Sequence, residues 1–222
     1  MRKTGFLLFA AAALFWLSWV LMPGVGVTDA KQIFALVASQ RALVAASVVL
    51  QLLSAMLYVP ALLGMVSEAK LGCLPAVRWW AGVLLIGAMG SAADAVLHLL
   101  AYAMTAPGLE IETLVRVMAF MQGSGLLLLA PLIVCFFLGG GGLSHVLAKV
   151  CIVSRWNLRL HGIAMSVAVI GGLLATKGLL PSRAVGLITL GIVSAAQAWI
   201  GVALWNRCTT AAQDSLRQPQ TA

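Results

Sequence analysis

An aspartate and a histidine four residues apart, Asp94 and His98, stand inside the apolar stretch from Arg78 to Thr105. A carboxyl and an imidazole in that relation can relay a proton or pair with a cation, and the imidazole can ligate haem iron. Gly87, Ser91, Asp94, His98 and Tyr102 follow one another at steps of four, three, four and four, so a helix here carries all five along one face. A charge at the centre of a bilayer costs about 2.5–3.5 kcal/mol on insertion scales, which predicts that this stripe faces protein, water or a ligand. Because a buried charge is costly unless paired, Asp94 is predicted to be protonated or to share a proton with His98, and to donate to the side-chain carbonyl of Gln51.

The elements that must hold these residues follow from composition. With 62% hydrophobic and 9% charged residues, the chain lies far from the soluble average of about 45–50% and about 25%. Its 222 residues leave room for six spans of about 20 residues with short loops. The fold class is therefore all-α, a polytopic transmembrane bundle over residues 1–205, followed by a polar, disordered tail over 206–222. The predicted spans are Met1 to Met22, Arg41 to Val66, Arg78 to Thr105, Thr113 to Leu138, His161 to Leu180 and Ala184 to Trp205. The first is read as a helix that is kept, since its apolar run exceeds the 7–15 residues of a cleaved signal. Nine Lys and Arg fall on one side and five on the other, which places both termini in the cytoplasm and the chain in the inner membrane. Gln32 to Gln40 reads as a short interfacial helix. Gly139 to Gly142 reads as a flexible joint ending span four, followed by an interfacial helix over Leu143 to Arg159 that carries His145. In span five, Ala164, Ala168, Gly172 and Thr176 recur by fours and predict close helix packing.

The second span has a stripe of its own, Ser47, Gln51, Ser54 and Tyr58. The short loop between spans two and three makes them antiparallel neighbours. Equal depth then pairs Gln51 with Asp94, Ser47 with His98 and Ser54 with Ser91. The same reasoning across spans three and four brings Gln122 and Gly123 near Asp94, and Met118 near His98.

Three functions compete for this polar core. The first is interhelical hydrogen bonding alone, the second a proton path or transport site. The third is a cofactor site, with His98 and Met118 as axial ligands of a haem, or a pocket for a quinone or pigment. No catalytic residues are predicted. Ser124 lies in a Gly-Ser-Gly triplet, but span six offers no histidine to act as its base, and paired acids and an HExxH motif are both missing. No metal site is predicted, because Cys73, Cys135, Cys151 and Cys208 lack ligand spacing. The basic residues are scattered at helix ends, which argues against a nucleic-acid partner. The sequence therefore predicts a non-enzymatic membrane protein, either an accessory subunit of a larger complex or a small transport protein. Its partners are the lipid bilayer and other membrane subunits or a second copy. The alternative is a cofactor-binding subunit of an electron-transfer or photosynthetic complex.

Overall fold

The computed structural model describes residues 1–106 and 108–217, with side chains described for all of these except 69, 70 and 207–217. The Cys208 thiol and the side-chain charges of Lys70, Arg207 and Arg217 therefore lie outside the described residues. All regular structure among the described residues is helical: α1 (Arg2–Leu21), α2 (Ala30–Ser39), α3 (Arg41–Ser67), α4 (Ala69–Gly72), α5 (Pro75–Met104), α6 (Ile111–Phe120), α7 (Leu126–Lys149), α8 (Arg155–Ser166), α9 (Gly172–Thr176) and α10 (Ser182–Arg217). The π-helical turns Met121–Gly125 and Val167–Gly171 join α6 to α7 and α8 to α9. Among the described residues, six helical stretches are long and apolar enough to cross a membrane: α1, α3, α5, α6–α7, α8–α9 and α10.

Local chemistry sets several of the boundaries. The Asp29 carboxylate accepts from the Gln32 backbone N–H at 2.8 Å and caps α2. Pro75 opens α5, where its missing N–H is not needed. Ser154 Oγ caps α8 by accepting from the Trp156 N–H at 3.2 Å. Gly26, with φ +79°, turns the chain after α1, and a Cβ there would come within 2.6 Å of the Ser182 backbone.

Four expectations are overturned here. Gly139–Gly142 neither bends nor ends the fourth span, which continues as helix to Lys149. The glycines are contact points instead. A Cβ on Gly139 would stand 2.5 Å from Leu84 Cα, and one on Gly142 would enter the Trp80 ring. The interfacial helix is correspondingly absent, since Leu143, Ser144, Val146 and Leu147 are buried in the bundle. Span five begins at Arg155, six residues before the predicted start at His161, and so draws Asn157 and His161 inside. Finally, α10 runs on through the expected tail to Arg217. Extending an existing helix avoids the cost of nucleation, and the segment after Asn206 contains Ala, Gln, Leu and Arg, all good helix formers.

The spans close into a ring. α1 packs on α3 and α10, α5 on α3 and α7, and α8 on α7 and α10. Two small residues let α1 and α10 meet backbone to backbone, for a Cβ on Gly5 would lie 2.5 Å from the Gly201 carbonyl oxygen. The Met1 amino group sits 3.4 Å from Glu68, so the chain start and the α3–α5 connection share one end of the bundle. That end is filled by a core that includes Leu8, Leu62, Leu84, Leu143 and Leu204. At the far end α2 folds over the bundle, packing Ile33 and Val37 with Val44, Ala101 and Met118.

Candidate functional site

Gln51 ties the predicted acid to the predicted base. Its Nε2 donates to Asp94 Oδ2 at 2.8 Å, and its Oε1 lies 3.2 Å from His98 Nδ1. An amide oxygen only accepts, so Nδ1 carries the proton of the imidazole in this arrangement. The polarity is the reverse of that predicted: Gln51 donates to Asp94, and its carbonyl oxygen serves His98. The amide matches its donor to the carboxylate and its acceptor to the ring N–H, and both polar groups are held at once. His98 Nδ1 and Asp94 Oδ2 are 3.7 Å apart. Trp19 of α1 meets the imidazole edge to face, with centroids 5.6 Å apart.

The other predicted rungs do not form. Ser47 Oγ donates to the Ser18 carbonyl at 2.7 Å, and Ser54 Oγ to the Ala11 carbonyl at 2.7 Å. Both serines turn from α5 to α1, because α3 lies between those two helices and Gln51 alone of the three reaches far enough toward α5. Ser91 Oγ is left buried without a hydrogen-bond partner among the described residues. Tyr102 belongs to a separate group at the far end, where the Arg41 guanidinium lies 4.1 Å from its ring centroid and donates to its backbone carbonyl at 3.0 Å. Gln122 and Met118 do come to the site, while Gly123 is exposed and lines neither cavity described next.

Asp94 stands in the wall of two cavities. The smaller, about 290 Å³, lies between α5 and the start of span four and is lined by Asp94, His98, Met118, Met121 and Gln122 beneath α2. The larger, about 760 Å³, lies inside the ring. Its deep end is made by Phe15, Gln51, Gly87, Asp94 and Phe136, and it reaches the far end of the bundle at Thr28, Thr176 and Ser182. Three residues of this wall present buried polar atoms with no partner among the described residues: Trp19 Nε1, Ser91 Oγ and Thr189 Oγ1. Ala168, Gly172 and Thr176, predicted to close-pack, line the cavity instead. The close approach on span five falls at Gly171, where a Cβ would stand 2.8 Å from Val185.

Aromatic rings close the larger cavity toward the Met1 end. Phe15 and Phe136 have centroids 4.7 Å apart, and Tyr58 abuts Phe136 at 5.6 Å. Behind them lies a polar cluster that the sequence reading missed. The Tyr58 hydroxyl donates to Gln197 Oε1. Asn157 Nδ2 donates to the Ala196 carbonyl at 2.7 Å, and His161 Nδ1 lies 3.2 Å from the Asn157 carbonyl. Gln197 Nε2 and His161 Nε2 each lie 2.9 Å from where a Gly140 Cβ would be. The available signal was the spacing of Asn157, His161 and Ala164 along one helix face, hidden by starting the span too late.

The haem reading does not fit. His98 and Met118 share only the smaller cavity, whose 290 Å³ sits at the bottom of the usual range of about 300–1,000 Å³ for small-ligand pockets. A porphyrin needs more. No group of three or more potential ligands for a metal ion occurs among the described residues. Comparison with family models, with curated proteins and with solved structures finds no match for this chain, so the function must be argued from the site itself.

Proposed function

We propose that this chain is a small transport protein of the inner membrane, with both termini cytoplasmic, in which Asp94, Gln51 and His98 form a proton-carrying centre. The observation that carries this reading is the position of Asp94 in the wall common to two cavities, bonded through Gln51 to an imidazole. Interhelical bonding alone is a weaker account. A polar contact between membrane helices contributes about 0.6 kcal/mol on average, and the bundle is already held by backbone-close seams such as Gly5 with Gly201. A group that serves only as glue gains nothing from a cavity on either side. A proton carrier requires such access.

The direct test is proton entry into vesicles containing the purified protein, driven by an imposed membrane potential and read by a trapped pH dye. The wild type is expected to exceed empty vesicles, and Asp94→Asn to fall to their level while keeping its melting temperature, since Asn can still accept from Gln51. Equal flux in the two proteins would refute the proposal. The orientation has its own check. A reporter inserted in the 150–154 loop should read as cytoplasmic, in keeping with the nine-to-five division of basic residues. A reading from the other side would invert the assignment.

A further inference from the structure

The larger cavity is more specific than a water-filled access path. Its walls carry Phe15, Trp19, Phe136 and Phe137, and among the described residues Asp94 is the only titratable one that lines it. The smaller cavity adds only His98, which belongs to the same helix as Asp94. Among the described residues, no Lys, Arg or second acid from α1, α3, α7, α9 or α10 lines either space. Lys177 and Arg183 are exposed near the far end, where solvent and salt screen them. Gln51 holds Asp94 at Oδ2, and Oδ1 receives no hydrogen bond from any described residue.

We propose that this cavity binds a lipophilic organic monocation, which enters from the far end and pairs with Asp94. The inference rests on Asp94 as the exchanging group and names what it exchanges for. A volume of about 760 Å³ lies within the usual range of about 300–1,000 Å³ for drug-sized ligands. Aromatic faces attract cations and accept an apolar body, whereas a sugar or zwitterion would find too few polar partners on these walls. An anion would meet the carboxylate with no basic residue to offset it. The charge balance is simple: as the cation arrives, the carboxyl gives up one proton, which leaves through His98 or the cavity water, so the net charge of the site is unchanged. Proton and cation therefore compete for one group.

The probe is radiolabelled tetraphenylphosphonium, equilibrated with the full chain in detergent micelles. Saturable binding is expected at alkaline pH, weaker at mildly acid pH, with proton release in weak buffer. Asp94→Asn should weaken it about tenfold or more, and Asp94→Glu should retain it. Gly172→Leu provides a variant that leaves the Asp94 network intact. Nothing lies within 4 Å of a Cβ at Gly172, so the leucine is accommodated but projects into the cavity and should block binding. Triphenylphosphine oxide, neutral and of similar shape, should not compete. Binding that is unaffected by Asp94→Asn, or that the neutral oxide displaces equally well, would overturn the proposal. If tetraphenylphosphonium fails to bind while proton flux still depends on Asp94, this inference falls and the proton-carrying centre stands. Asp94-dependent binding without proton flux gives the opposite result.

Discussion

Gln51→Leu is expected to destabilise the bundle by about 2–4 kcal/mol: a buried group left without a partner costs about 1–3 kcal/mol, the full cost falls on buried Asp94, and half-buried His98 adds a smaller share. The hydrogen bonds themselves are worth less than this, since an unfolded span in a membrane finds other partners. The stranding decides the size. Leucine matches the volume of glutamine closely, so packing of α3 against α1, through Ser47 and Ser54 to the Ser18 and Ala11 carbonyls, should persist. Asp94 would keep only His98 at 3.7 Å. The double substitution Gln51→Leu with Asp94→Leu removes donor and acceptor together and should recover most of the loss. Thermal melting of the four proteins in one detergent measures the cycle. A single mutant as stable as wild type, or a double mutant less stable than the single, would show that Gln51 does not hold the centre.

The second large effect belongs to the seam between α5 and α7. A Cβ on Gly139 would lie 2.5 Å from Leu84 Cα, and one on Gly87 would lie 2.7 Å from Phe136 Cβ and closer still to its backbone. Backbone cannot rotate out of the way as a side chain can, so Gly139→Val and Gly87→Val must push the helices apart. Overpacking of this kind costs about 1–3 kcal/mol and sometimes more. At Gly139 the loss should be at the top of that range or beyond, because both helices move. Gly82, on α5 with Gly87, is the control. A Cβ there meets nothing within 4 Å, and Gly82→Ala should be neutral or slightly stabilising through helix propensity. The yield and melting temperature of the three variants give the comparison. Equal tolerance at Gly82 and Gly139 would contradict the seam.

Much of this was readable from the residues, and the boundary is physical. Hydropathy and span length give the six membrane-length helices, and a short loop makes α3 and α5 neighbours. Equal depth was then enough to bring Gln51 to Asp94. It was not enough for Ser47 and Ser54, because a hairpin rule says nothing about which helix lies on the other flank, and α1 reaches α3 through no short connection. The same gap hid the contact of Tyr58 with Gln197, which are 139 residues apart. Gly139–Gly142 misled for a different reason. Glycine weakens a helix when its backbone is exposed, but inside a bundle the missing side chain admits a neighbour, and a single sequence does not distinguish the two settings. The orientation of the Gln51 amide depends on both of its partners together, so no pairwise argument could supply it.

The π-helical turns Met121–Gly125 and Val167–Gly171 sit in two of the spans that line the larger cavity. Each accommodates what amounts to one additional residue within an otherwise α-helical run. Removing a residue there would return the span to plain α geometry and rotate everything on one side by about 100°, a single residue's share of a 3.6-residue turn. Met118 before the first turn, Gln122 within it, and Phe136 and Gly139 after it, could then no longer all keep their present neighbours. A hydropathy plot of such a deletion would be almost unchanged. Sequences of this length and apolarity that lack the inserted residue would thus share the topology of this chain and not its interior, and any alignment used to seek relatives of the Asp94 site must place its gaps at these two turns.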